Sequence, residues 1–599
     1  MIVLLMASPI FAQEFENFIT AEGYKLMDGD KPLRFISWNI PNINYVEDDM
    51  DFTSTNPYGL PNEYELRDAF ETIKEMGGQV IRTYTIPVYN SNFPEDAPTF
   101  VLAPGEFNEE AFKVMDMMLA LANEYQIRLI FSLLNNWKWM GGVPNYAEFR
   151  NKEAEEFWTD PQLRDDFKKT IEFTLNRKNS ITGVKYKDDK SILCWETGNE
   201  IDSPDEWTND IAAFIKSIDE NHLLMDGYLA IDTRPVKENS IRNPNIDIIS
   251  SHHYQRSPFD LHKDIDMNLK IINGRKPYIL GEFGFESSTA LESLIDRVVD
   301  NEQISGALCW SIRYHHRDGG FYWHSEPLGV GIYKAYHWPG FNSGSKYDEK
   351  NFLKMYVDKA YEIQGIDQPQ LLAVKPPELL PIENVYSMNW RGIVGASGYN
   401  VERASEIDGP WDLIGYNVSD ASIQNFPIFH DETAEVGQKY FYRVRAIKPN
   451  GISEPSNVQG PVDVTVQAVV DNLSNFGKLY DYHNVKLVTG NDRTYKEIDS
   501  RLKGDYGAEI YYNVPGDFVS LKIYSFEENT NWPFLRFYGS TDGEDWIQMN
   551  PEMRTYASNE SNYNYANPTT YSLEGGDYKF IKIKFMYECE IARVEITHK

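Results

Sequence analysis

The chain has 599 residues and only three cysteines, Cys194, Cys309 and Cys589. Three thiols so far apart give neither a disulfide framework nor the paired spacing of a zinc site. Positive charge is also scarce. Lys plus Arg number 57 against 91 Asp plus Glu, a formal charge of −34. A chain this acidic repels phosphate backbones, so nucleic acid is excluded as a general partner. No run of 18 apolar residues occurs beyond the start, so no transmembrane helix is expected. What the chain does have is ordinary core material, 42% hydrophobic residues, and many rings, 14% aromatic. Planar rings fill cores, and they also stack on sugars.

The start, MIVLLMASPIFAQEF, carries an apolar run and then Ala12-Gln13. It reads as the end of a secretory signal over residues 1–13, and a secreted, periplasmic or cell-surface protein is expected. A Pro-rich stretch, QGIDQPQLLAVKPPELLP, marks one joint, and Gly460-Pro461 marks a second. Three blocks follow: 14–370, 371–464 and 465–599.

In the first block eight apolar runs recur: LRFISWN, VIRTY, IRLIFSLLNN, SILCWETGNE, LLMDGYL, DIISSHHY, YILGEFG and GALCWSI. Helical patterns such as EYELRDAFETIKEMG and EEAFKVMDMMLALANEY separate them. Strands alternating with helices predict a parallel sheet, and eight in one block predict a closed (β/α)8 TIM barrel. The expected fold class is therefore α/β, with a TIM barrel followed by two all-β sandwich domains. Chemistry in such a barrel sits at the C-terminal ends of the strands. The fourth run ends in Asn199-Glu200 and the seventh carries Glu282. Two carboxylates facing one cavity can divide acid and nucleophile roles. Arg82 on the second strand is placed to hold the nucleophile ionised. His252 and Tyr254, two residues apart, leave the sixth strand on one face. Trp310 ends the eighth and offers a floor for a pyranose ring.

The first block resembles glycoside hydrolase family 5, and within it the endo-β-1,4-mannanases. The stretch from Leu134-Asn135-Asn136-Trp137 through Phe157-Trp158-Thr159-Asp160-Pro161 to Trp195-Glu196-Thr197-Gly198-Asn199-Glu200 carries most of the likeness. Lys276 to Gly284 matches the nucleophile strand. The resemblance implies Glu200 as acid/base and Glu282 as nucleophile. It implies Asn199 as donor to the sugar 2-hydroxyl, with Arg82, His252, Tyr254 and Trp310 in support. Asn136 and Trp137 would lie at the substrate cleft, and Glu196 would be a buried structural carboxylate. Two positions depart from the family: Ile201 stands where Pro is usual after the acid/base, and Gly198 replaces a commoner Ala. The insertion Tyr314 to Ser345 is rich in rings and histidine. It leaves endo against exo action open and could wall off one end of the cleft. Its histidines, His315, His316, His324 and His337, show no ligand spacing, so no metal or cofactor is expected.

The second block resembles a fibronectin type III module through Trp390, ASGYNVER and GQKYFYRVRA. The third alternates with period two and is similar to discoidin-like or carbohydrate-binding β-sandwiches. There Tyr538-Gly539-Ser540-Thr541-Asp542-Gly543 is the best local match, and Trp532, Tyr563 and Tyr565 are a candidate sugar platform. The expected function is retaining hydrolysis of β-1,4-mannosidic bonds in a polysaccharide or oligosaccharide by a monomer. A glucan-cleaving or exo-acting relative of the same clan is the alternative, and a non-catalytic binding protein a more distant one.

Overall fold

The computed structural model describes residues 15–49, 51–231, 234–254, 261–326, 333–341, 348–421, 426–527, 532–556 and 566–599. Residues 1–13, Tyr563 and Tyr565, three sites of sequence expectation, lie outside these.

Each of the eight apolar runs overlaps a strand, and six contain theirs whole. The strands are β1 (Phe35–Ile40), β2 (Val80–Thr83), β3 (Arg128–Ser132), β4 (Ile192–Glu196), β5 (Leu223–Met225), β6 (Ile249–Tyr254), β7 (Tyr278–Gly284) and β8 (Ile304–Cys309). All pairings among them are parallel, in the order β5-β4-β3-β2-β1-β8-β7-β6. An isolated parallel bridge between Met225 and Ile248 links the two ends of that order, so the sheet is a nearly closed TIM barrel. Every residue of these strands is buried. That is why they read as apolar runs: both faces of a parallel sheet are covered.

Helices form where the apolar period lengthens to 3.6. Glu63–Glu75 starts with a capping box, in which the Asn62 side chain accepts from Glu65 N and the Glu65 carboxylate accepts from Asn62 N. Glu109–Tyr125 is capped by the Asn108 side chain. A small antiparallel sheet, Ile19–Glu22, Lys25–Asp28 and Lys31–Leu33, precedes the barrel. Its Ile19, Leu26 and Leu33 pack with Phe35, Val80, Leu193, Leu223 and Ile279, which lie in the first halves of their strands. The N-terminal mouth is thus plugged with hydrocarbon, and polar chemistry is left to the other end.

Asp116 shows what the Leu175-Asn176-Arg177 part of the mannanase-like stretch does. Its carboxylate is buried and accepts from the Arg177 guanidinium at 3.0 and 2.9 Å, from Ser180 N and Oγ, and from the Tyr186 hydroxyl. Burial works against that charge, but these donors hold the acid below its ordinary range. The motif here is a structural ion pair.

Contacts divide the chain into two compact units. The first comprises Met1–Glu47, Tyr58–Tyr314 and Ala335–Leu371, and the second Asp48–Pro57, His315–Lys334 and Leu372–Lys599. The second unit is built on antiparallel sheets. A five-stranded sheet centres on Gly398–Ala404 and Lys439–Lys448, whose inward residues bury Trp390, Tyr399 and Tyr442. A ten-stranded sheet follows, with Leu502, Ile510, Leu521, Phe537, Ile583 and Val594 in its core. Segment 48–57 belongs to this unit through Phe52, which packs with Ile498, Phe526 and Ala592. Lys496 Nζ caps its carbonyls at Asp51 (2.7 Å) and Ser54 (3.0 Å). Trp532 is 55% exposed. The Ser540–Gly543 turn uses its polar atoms on itself, with Ser540 Oγ accepting from Gly543 N.

The four histidines of the insertion do not gather. His315 faces Asp420, His316 faces Asp49, His324 faces Glu326, and His337 lies against Glu349.

Candidate active site

Arg82 organises the centre of the barrel. A guanidinium has five N–H donors, and each of the five meets an acceptor here. Nε and Nη2 clamp Glu196 at 2.9 and 3.1 Å. Nη1 donates to Glu282 at 2.7 Å and to Asn39 at 3.0 Å, and Nη2 reaches Asn199 at 2.9 Å. The side chain is fully buried. Burial opposes its charge, but Glu196 and Glu282 raise its pKa above the ordinary value.

Glu282 lies within β7 and receives a second donor, the Tyr254 hydroxyl, at 2.6 Å. His252 Nδ1 stands between the two carboxylates, 2.9 Å from Glu200 and 3.3 Å from Glu282. Alternation along β6 explains the pair. His252 and Tyr254 point to the carboxylates, while His253 points the other way, onto Ser251 Oγ and the Tyr278 hydroxyl. Burial pushes His253 down to about 3, so it is a neutral core residue. Trp137 is half exposed and donates its indole N–H to Glu200 at 2.8 Å. Trp310 packs edge-on to Tyr84 with centroids 5.5 Å apart.

Glu200 lies beyond the end of β4, and its φ of 52° puts a non-glycine residue in the left-handed region. Such a residue costs about 1–2 kcal/mol and persists only where its surroundings fix it. Here Asn199 N donates to Leu134 O (2.6 Å) and Ile201 N to Gly227 O (2.9 Å), one on each side. This accounts for both departures from the family pattern. Proline at 201 would remove the second donor. A Cβ on residue 198 would come within 2.6 Å of Ile201 Cγ2 and 2.9 Å of Leu134 O, which favours glycine there. Gly227 is equally constrained, since a Cβ there would lie 1.7 Å from Gly198 O.

The structure also brings in residues that the sequence did not single out. Asn135 and Tyr84 form a hydrogen-bonded triad with Asn199: the Asn199 amide donates to the Tyr84 hydroxyl (3.2 Å), which donates to Asn135 (3.3 Å). Asn39 braces Arg82. Asn136, by contrast, accepts from Asp202 N at 3.5 Å and sits one step aside, where the chain bends after Asn135.

One ligand atom each from Glu200, His252 and Glu282 lie within 4.8 Å of one another. That is close enough to hold a cation, but His252, Trp137, Tyr254 and Arg82 already donate to these oxygens. The electrostatics are those of a coupled set. Burial raises Glu282 above the ordinary carboxylate range against the pull of His252 and Arg82. Burial also penalises the Glu200 carboxylate, but the His252 and Trp137 donors bring it below that range. His252 is pulled down by burial, yet the two carboxylates raise it overall. These directions favour a protonated His252 beside an ionised Glu200, and Glu282 meets donors that suit an anion.

Residues 16–279 match a family model described as glycoside hydrolase family 5 beta-mannosidase-like. The matched span includes Arg82, Glu200, His252 and Tyr254 and ends just before Glu282. Over that span the barrel matches glycoside hydrolase family 5. Among curated proteins, this hydrolase is similar to a putative mannan endo-1,4-beta-mannosidase 4 of Arabidopsis thaliana. They are 27% identical over 329 residues, 47% of this chain and 76% of that one. It is also similar to mannan endo-1,4-beta-mannosidase 4 of Solanum lycopersicum, 31% identical over 39% of this chain and 59% of that one. Among solved structures, the endo-1,4-beta-mannanase of Rhizomucor miehei aligns with 58% of this hydrolase and 100% of its own chain. Identity is 22% and the TM-score 0.43.

Proposed function

We propose that this protein hydrolyses β-1,4-mannosidic bonds in mannan-type polysaccharides or oligosaccharides by a retaining double displacement. The observation that carries the reading is the pair Glu200–Glu282. Oxygens of the two come within 4.8 Å, near the roughly 5–5.5 Å of retaining pairs and short of the 6.5–9.5 Å that would admit a water between them.

Glu282, oriented by Arg82 and Tyr254, attacks the anomeric carbon. The glycosidic C–O bond breaks, and the leaving oxygen takes the proton that His252 and Glu200 share. Glu200 then draws a proton from water, which attacks the glycosyl ester and frees Glu282. Asn199, fixed by Arg82 and Tyr84, is positioned for the sugar 2-hydroxyl. Trp310 floors the reacting ring, and Trp137, now on Glu200, flanks the leaving sugar. The second unit contributes a fibronectin type III-like and a carbohydrate-binding-like β-sandwich, and the protein works outside the cytoplasm as a monomer. Among the described residues no helix is long and apolar enough to cross a membrane.

Two measurements test this. Proton NMR during cleavage of mannohexaose should show the β-anomer first; an α-anomer product would sink the assignment of roles. A panel of mannan, glucomannan, cellulose and xylan should show turnover on the first two, and turnover confined to cellulose or xylan would sink the substrate.

The pH profile of kcat/KM should be bell-shaped. Its rising limb, loss of the Glu282 proton, is expected above the ordinary carboxylate range, because burial raises that group. Its falling limb, loss of the shared His252–Glu200 proton, is expected above the ordinary histidine range. His252→Asn should move the falling limb and also shift the rising limb up, because Glu282 loses the pull of His252. A profile in which both limbs stay put would remove His252 from the proton pair.

A further inference from the structure

The ten-stranded sheet has an outward face that the proposed chemistry does not use. Five adjacent strands build it: β9 (Asp481–Thr489), β10 (Ser500–Asn513), β11 (Leu535–Ser540), β12 (Ile547–Met549) and β13 (Phe580–Phe585). Their lateral order is β12-β11-β13-β10-β9. One face points into the core through Ile510, Tyr512, Phe537, Ile581 and Ile583, all fully buried. The alternating residues therefore point outward. Register sets them in rows across the strands. In one row Tyr511 lies opposite Lys582, and Lys582 opposite Tyr538. In the next Glu509 lies opposite Lys584.

Trp546, just before β12, meets the Tyr511 ring edge-on at 5.6 Å. The Lys582 ammonium lies 4.7 Å from the Tyr538 centroid and 4.6 Å from that of Trp546, which steadies both rings. One ion pair lies on this face. Lys584 Nζ is 2.9 Å from Glu509, whose other oxygen accepts from the Tyr511 hydroxyl. The face thus offers rings separated by polar groups, with Lys582 and the exposed Arg536 as its further cations. It lacks the contiguous apolar patch of a protein interface, and its Lys582 ammonium lies against the Tyr538 and Trp546 rings. Tyr511 and Tyr538 stand two strands apart, roughly 9–10 Å, which is about the length of two linked pyranoses in an extended β-1,4 chain.

We infer that this face binds one strand of a β-1,4-linked mannan lying across the strands, with alternate sugars on Tyr511 and Tyr538. Sugar C–H faces meet the rings, and hydroxyls meet Lys582 and Glu509. The choice of mannan rests on the proposed function.

The test uses the full chain. With Glu282→Ala to prevent cleavage, retention on insoluble mannan is compared with that of the same chain carrying Tyr511→Ala and Trp546→Ala. A loss of at least tenfold in affinity is expected. In the Glu282 background, hydrolysis of mannotetraose, too short to need a second site, should stay within twofold. An unchanged far-ultraviolet circular dichroism spectrum should show that the sheet still folds, and Tyr511→Phe should keep binding because the ring remains. Equal retention of the ring variant, or no retention of the parent, overturns the inference while leaving the hydrolase reading intact if mannotetraose is cleaved. Ring-dependent retention with no cleavage of any mannan would support the face and overturn the hydrolase reading instead.

Discussion

Replacing Glu282 with alanine is expected to lower kcat on mannohexaose by about 10⁴- to 10⁶-fold, the scale of losing a covalent nucleophile. The fold should survive. Arg82 keeps four of its five acceptor contacts, to Glu196, Asn39 and Asn199, and one of two facing carboxylates is gone. His252 loses the largest of the charges that raise it, so its proton should leave at lower pH. Glu282→Gly opens the same space to a small anion. Azide should then restore turnover of an activated mannoside with a good leaving group and yield the α-mannosyl azide, because the anion attacks from the side of the missing carboxylate. Near-normal activity of the alanine variant, or rescue that gives the β-azide, would remove Glu282 from the nucleophile role. Glu200→Ala differs in kind. It should lose about 10²- to 10⁴-fold on natural substrate, the scale of general acid–base catalysis, and much less where the leaving group needs no proton.

The sequence made the barrel legible because burial on both faces leaves strands no freedom to be polar. The eight runs could be found by counting, and each overlaps its strand. His252, Tyr254 and Glu282 could be read because polar groups at apolar strand ends are costly without a purpose. The rest of the site depends on contacts far apart in the chain. Nothing local separates Asn135 from Asn136; only the turn of the chain after β3 decides which amide faces Asn199. Tyr84 follows β2 with no signature of its own, and Asn39 is one polar residue in an apolar strand. Gly198 reads as a small departure, and only its approaches to Ile201 Cγ2 (2.6 Å) and Leu134 O (2.9 Å) show why a side chain is disfavoured there. Segments 48–57 and 315–334 lie within the barrel's stretch of sequence, but Phe52 and His315 find their partners near residues 526 and 420. Linear composition contains no trace of that.

Arg82→Met should be the most damaging single change to the barrel itself. The side chain is buried with every donor used, and removing it leaves Glu196 and Glu282 facing each other's side of the core without a cation. Breaking a buried pair in this way costs about 3–5 kcal/mol, so the barrel's unfolding transition should fall by many degrees in calorimetry. Activity should fall with it even below that transition, because Glu282 would lose a hydrogen bond and a charge that favour its ionised form. The rising limb of the pH profile should therefore move up. Arg82→Lys returns the charge with at most three donors. It should recover part of the stability but little activity, since an ammonium cannot reach Glu196, Glu282 and Asn199 in one plane. The decisive variant is the pair Arg82→Met with Glu196→Leu. If Glu196 serves only to neutralise Arg82, removing both should restore much of the lost stability. The enzyme should stay nearly inactive, because Glu282 still lacks its guanidinium. Recovery of activity in the double variant would mean that Arg82 does no more than balance Glu196, and its orientation of the nucleophile would have to be abandoned.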